Sequence, residues 1–183
     1  RMARASRMVG TGDAGEYQHR ADLIAAHLDV LWDDDQGMFL AADEDCRQTD
    51  IWGSALAAHL GCATTRQSAR VSAWLVEHYD SIVQSGQVRH LPAGQTWQRF
   101  FSERGVEEGT YQNGAFWATP LAWVVPTIAN CDRELAIDTV KVVIGDFRTR
   151  GIAECVNADY RKVSDYVVSA TSVYSLLRDS SRP

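Results

Sequence analysis

The sequence predicts an all-α fold of three helical hairpins, with short β pieces in the loops, and three observations predict it. Ala115 to Ile128 is apolar nearly all round, and a helix with no polar face has to be buried on every side. The order solvent-faced helix, polar and aromatic loop, buried helix recurs three times, without sequence identity between the units. The other two interior segments, Ile51 to Leu60 and Tyr166 to Leu177, are rich in small residues that let helices approach closely.

Residues 1–15 are small, basic and polar and read as a flexible lead-in to a domain over 16–183. Glu16 to Trp32 is amphipathic through Leu23, His27, Val30 and Leu31. Asp33 to Gly37 is a turn, and Met38-Phe39-Leu40 a short strand. Asp50 stands where it caps the helix Ile51 to Leu60, which closes at Gly61. Thr65 to Val83 is amphipathic through Val71, Leu75, Tyr79 and Ile82. A loop from Gly86 to Gly109, with Arg89-His90-Leu91-Pro92 and Trp97, leads into the buried helix behind Tyr111-Gln112-Asn113-Gly114. Asp132 to Arg150 repeats the amphipathic pattern through Ala136, Val140, Val143 and Phe147. A loop with Glu154, Asn157, Asp159 and Tyr160 then feeds the last helix. Helices joined as hairpins are antiparallel neighbours, so the three buried helices are expected to run parallel. Their N-termini, at Asp50-Ile51-Trp52, Gln112-Asn113-Gly114 and Asp165-Tyr166-Val167, would then share one mouth.

The chain has 183 residues, room for one domain with a real core. A net charge of −6 without a basic run argues against nucleic acid and anionic membrane as partners. No apolar run approaches the length of a membrane span. Cys46, Cys62, Cys131 and Cys155 are scattered, with no C-x-x-C and no His at ligand spacing, so neither a metal nor a cofactor is expected. There is no phosphate-cradling glycine loop, H-E-x-x-H or G-x-S-x-G. The chain opens Arg1-Met2-Ala3-Arg4, and the native start is expected upstream.

A mouth lined by Trp52, His90, Trp97, Tyr111, Gln112, Asn113 and Trp117 suits a carbohydrate. Aromatic faces cover the C–H face of a sugar ring, and amides and carboxylates take its hydroxyls. Glycoside hydrolysis needs two carboxyl groups across the bond, and Asp50, Glu107, Glu108, Glu154, Asp159 and Asp165 are the loop candidates. Asp50 and Asp165 read first as helix caps, Glu107 and Glu108 as solvated loop charge. Glu154 lies between Ile152-Ala153 and Cys155-Val156, a setting that buries it, and a buried carboxyl needs a partner or a task. His90 serves equally as a donor to sugar or as a structural hydrogen-bonder, Trp117 as a sugar platform or core filler. Cys155 has no His near it in sequence to make it a nucleophile.

Taken together, these segments resemble the C-terminal half of six-hairpin (α/α)-toroid glycosidases, above all mannosyl-oligosaccharide glucosidase-like and related α-glycosidases. The resemblance rests on Leu31-Trp32-Asp33-Asp34-Asp35-Gln36-Gly37-Met38-Phe39, Asp50-Ile51-Trp52-Gly53-Ser54, Tyr111 to Trp117, and Glu154-Cys155-Val156-Asn157 ahead of Asp165 to Ala170. Gln112-Asn113-Gly114 stands where that group has Arg-Gly-Pro. The resemblance implies half or more of an (α/α)6 toroid, an inverting two-carboxylate hydrolase of an α-linked glycoside, and Glu154 as its base. It also implies a general acid N-terminal to this chain. Asp50, Trp52, His90, Tyr111, Gln112, Asn113 and Trp117 would hold the sugar. An open half-toroid exposes inner-helix edges, so self-association or a missing N-terminal half is the further partner expected. The rival expectations are a sugar epimerase or polysaccharide lyase working through His90 or Tyr111, and a non-catalytic carbohydrate-binding or helical assembly module.

Overall fold

The structure, a computed structural model, describes residues 2–99 and 107–180. Its elements in order are α1 (Met2–Val9), α2 (Ala14–His27), β1 (Trp32–Asp33), β2 (Met38–Phe39), α3 (Ile51–His59), α4 (Thr65–Glu77), α5 (Tyr79–Ile82), β3 (Val83–Gln84) and β4 (Gln87–Arg89). They continue with β5 (Phe116–Trp117), α6 (Leu121–Ala129), α7 (Arg133–Arg150), β6 (Ala153–Asn157), β7 (Tyr160–Ser164) and α8 (Val167–Ser180).

The fold is mixed α/β, which corrects the all-α, half-toroid expectation. β1 and β2 form a hairpin, and β3 to β7 form an antiparallel sheet whose strands lie side by side in chain order. Val88 pairs with Trp117, Phe116 with Val156, and Cys155 with Lys162. Each of these five strands either follows α5 or α7, precedes α6 or α8, or hairpins with one that does; of the helices expected inside, α8 is only partly buried, with Val167, Val168, Tyr174 and Leu177 exposed. The sheet is therefore what the loops become once gathered at one end of the helices. Backbone N–H and C=O groups brought together out of water have to pair, and the partners at hand are the neighbouring loops.

The same force relocates the second of the three expected buried helices. Ala115, Phe116 and Trp117 are not its first turn: Phe116 and Trp117 are the middle strand, and α6 starts only after Pro120. Pro120 disfavours helical backbone at Thr119, so a helix running through from Ala115 would break there.

The other helices have local causes. The Asp50 side chain accepts from Gly53 N to start α3. Thr64 and Gln67 make a reciprocal capping box on α4, and Asp132 accepts from Leu135 N on α7. Ile51, Val71, Leu75, Ile82, Val88, Leu121, Val124, Ile128 and Val143 are fully buried in one core. α6 lies within it, in contact with α3, α4, α7 and α8. At the N-terminus, residues 2–9 are helical and pack on α2 through Ala3 and Ser6. α2 itself buries no residue, and Leu23 and Val30 of the expected inward stripe are exposed.

Candidate functional site

Asp50, at the start of α3, turns its carboxylate back over its own helix. Oδ1 accepts from Gly53 N at 2.8 Å and lies 3.2 Å from His90 Nε2. A Cβ at position 53 would come within 2.5 Å of that carboxylate, so Gly53 makes room for it and is not there for helix packing. His90, just past β4, stacks on Trp52 with ring centroids 4.1 Å apart and meets Trp97 edge-on at 4.9 Å. Trp52 meets Trp117 at 5.7 Å, and Trp117 meets Tyr111 at 5.0 Å. Asp50, Trp52, His90, Tyr111 and Trp117 are thus brought together, with Trp97 added.

The polar atoms of this cluster are mostly occupied. Trp52 donates to Arg89 O, Trp97 to Gln112 O, and Trp117 to Tyr111 O. Asn113, buried, accepts at Oδ1 from Trp97 N. Asn113 and Trp117 therefore point inward and hold the loop, while Tyr111 and Gln112 stay half-buried beside them.

Glu154, on β6, is 8% exposed. Burial pushes the Tyr111 phenol up, and the Glu154 carboxylate adds to that push. Burial, with Glu154 again adding, raises the Cys155 thiol to about 11. As Ala153 pairs with Ser164 and Cys155 with Lys162, Val163 stands across the hairpin from Glu154. Val163 has φ +45° and Tyr111 φ +44°, left-handed values that bulky residues adopt at a cost of about 1–3 kcal/mol each. The hairpin is anchored to α7, where Arg161 donates to Arg150 O and Gly151 O and faces the buried Asp146, which also pairs with Arg150 and Gln87.

A cleft of about 570 Å³ adjoins this cluster through the chain neighbours Thr49–Asp50 and Thr96–Trp97. Gln36, Gln48, Gln95, Gln98 and Arg47 are among its lining residues. Sequence reading missed it, although the recurrence of Gln on both sides of Asp50 and Trp97 was there to find. It also missed Tyr160 and Lys162, because 151–165 read as a loop. Alternation on either side of Asn157-Ala158-Asp159 was the available hairpin signal.

Cys155 is fully buried, whereas Cys131 is exposed. Iodoacetamide at pH 8 is expected to modify Cys131 first and to spare Cys155 until the chain unfolds, read by peptide mass mapping. Between pH 9 and about 11 the folded state keeps the Cys155 proton that the unfolded chain gives up, so this thiol makes stability fall as pH rises.

Among the described residues no group of His, Cys, Asp and Glu is arranged to hold a metal ion, and no helix is long and apolar enough to cross a membrane. Fold and site together define a mixed α/β domain whose aromatic and carboxylate cluster lies where the start of α3, the end of β4, β5 and the loops beside them meet. No protein-family model matches the chain, and the curated proteins give no match.

Proposed function

We propose that this protein acts on carbohydrate, hydrolysing an α-linked glycoside with inversion, and that Glu154 is the base that activates water. One observation carries the reading: Asp50, Trp52, His90, Trp97, Tyr111 and Trp117 gather in one cluster, and the chain neighbours of Asp50 and Trp97 line an amide-rich cleft. Sugars are recognised by this combination of aromatic edges, amides and a few fixed charges in a cavity of this size. Strain at Tyr111 and Val163 adds support, since such strain gathers at working sites. In this reading His90 and Asp50 hold a sugar hydroxyl, Gln112 and the cleft amides hold others, and no residue of this chain is given the acid role.

Glu154→Gln in the native protein is expected to lower turnover of aryl α-glycosides by about 10²–10⁴-fold while leaving sugar affinity within a few-fold. Turnover near wild type would remove Glu154 from that role. A second reading, a non-catalytic sugar-binding or assembly module, is favoured by the inward, fully hydrogen-bonded Trp117 and the occupied Asn113 Oδ1. It predicts saturable binding without turnover for both proteins.

A further inference from the structure

Trp97 stands in the aromatic cluster without a regular element to carry it. Residues 95–98 lie in neither helix nor strand, and among the described residues Trp97 belongs to none of the apolar clusters that build the core. Its place beside His90 therefore depends on hydrogen bonds. The 111–114 loop supplies two of them, with Asn113 Oδ1 accepting from Trp97 N and Gln112 O from the indole. Gln48 supplies the others. Its Nε2 donates to Thr96 O at 2.9 Å, and its Oε1 accepts from Gln98 N at 2.7 Å. One side-chain amide thus takes the backbone groups on both sides of Trp97, as a neighbouring strand would.

Gln48 is itself held in place. It is 7% exposed, its carbonyl accepts from Ala41 N at 2.8 Å, and the next residue, Thr49, bridges to Leu40 just past β2. Its Nε2 also faces Gln95 Oε1 at 3.5 Å, and the Cys46 thiol donates to its Oε1 at 3.6 Å. Apart from that thiol, every partner of the amide among the described residues lies in 95–98. Gln48, Gln95, Thr96 and Gln98 also line the cleft, so the amide that places Trp97 shapes part of the cleft wall as well.

We infer that Gln48 is a positioning residue of the sugar site, acting through Trp97 by holding the indole edge-on to His90. The inference rests on the carbohydrate reading above and deepens it by naming the residue that sets the shape of that site.

The test is a calorimetric titration of the native protein with α-linked glucose and mannose trisaccharides, run as a double-mutant cycle of Gln48→Leu and Trp97→Ala. Gln48→Leu is expected to weaken binding roughly tenfold, about as much as Trp97→Ala, since an indole released from His90 no longer meets the sugar. In the Trp97→Ala protein, Gln48→Leu is expected to cost nothing further. Gln48→Glu guards against a leucine variant that does not fold. It keeps the volume and the acceptor for Gln98 N but loses the donor to Thr96 O, and is expected to weaken binding several-fold, again only while Trp97 is present. Wild-type affinity in both Gln48 variants overturns the inference and leaves the carbohydrate reading standing. A full second loss on top of Trp97→Ala does the same, because the amide would then act on the whole fold or on the sugar directly. A wild-type protein that binds neither trisaccharide overturns both readings.

Discussion

Gly86→Ala is expected to lower stability by about 3 kcal/mol, or roughly 6–12 °C in Tm for a chain of this size. Gly86 turns β3 into β4 with φ +71°, in the left-handed region that favours glycine. A Cβ there would come within 2.6 Å of Val143 N and 2.7 Å of Thr139 O, both backbone atoms of α7. A side chain could move aside, but a helix backbone can do so only by shifting the helix. Val143 is fully buried in the core, so that shift would propagate. Gly86→Asn separates the two causes, because Asn tolerates positive φ yet still carries the Cβ. It is expected to be nearly as damaging as alanine. Urea denaturation with an unchanged m-value, so that the midpoint reports stability, would check both. Recovery of wild-type stability by asparagine would mean that backbone strain, and not the approach to α7, sets the cost.

Trp52→Ala is expected to cost about 3–5 kcal/mol and to dismantle the candidate site along with it. The indole stacks on His90, meets Trp117 edge-on and donates to Arg89 O, so it ties α3, β4 and β5 together. Its own carbonyl accepts from Trp123 Nε1 on α6. Truncation leaves the Arg89 carbonyl without this donor and frees the His90 ring to leave Asp50. Near-UV circular dichroism should lose the coupled-indole signal, and sugar binding should fall with it. Trp52→Phe, which keeps a ring but not the N–H, is expected to retain most of the stability. A Trp52→Ala protein with wild-type stability would show that the aromatic contacts do not hold the site together.

Much of the helical framework was legible in the sequence because its causes are local. Asp50, Thr64 and Asp132 announce three helix starts by capping chemistry that acts within three residues. Spacing along Thr65 to Ile82 and Asp132 to Arg150 located the helices that pack on the core. Met38-Phe39 was read as a strand, but the strands of the five-stranded sheet were misread because they run for two to five residues, too short for alternation to stand out. Their pairing is between segments far apart in the chain, as with Phe116 and Val156. The exposed face of α2 was misread for the related reason that an apolar period does not by itself say that anything lies opposite.

By itself, then, the sequence determined where α3, α4 and α7 start, and that aromatic and acidic residues concentrate on or beside the connections between helices. Only the tertiary structure decided that those connections pair into a five-stranded sheet and that His90 lies against both Asp50 and Trp52. The physical reason is range. Capping and amphipathic periodicity act within a turn or two of helix, whereas ladder pairing, ring stacking and charge compensation depend on which distant segments packing brings within a few ångströms.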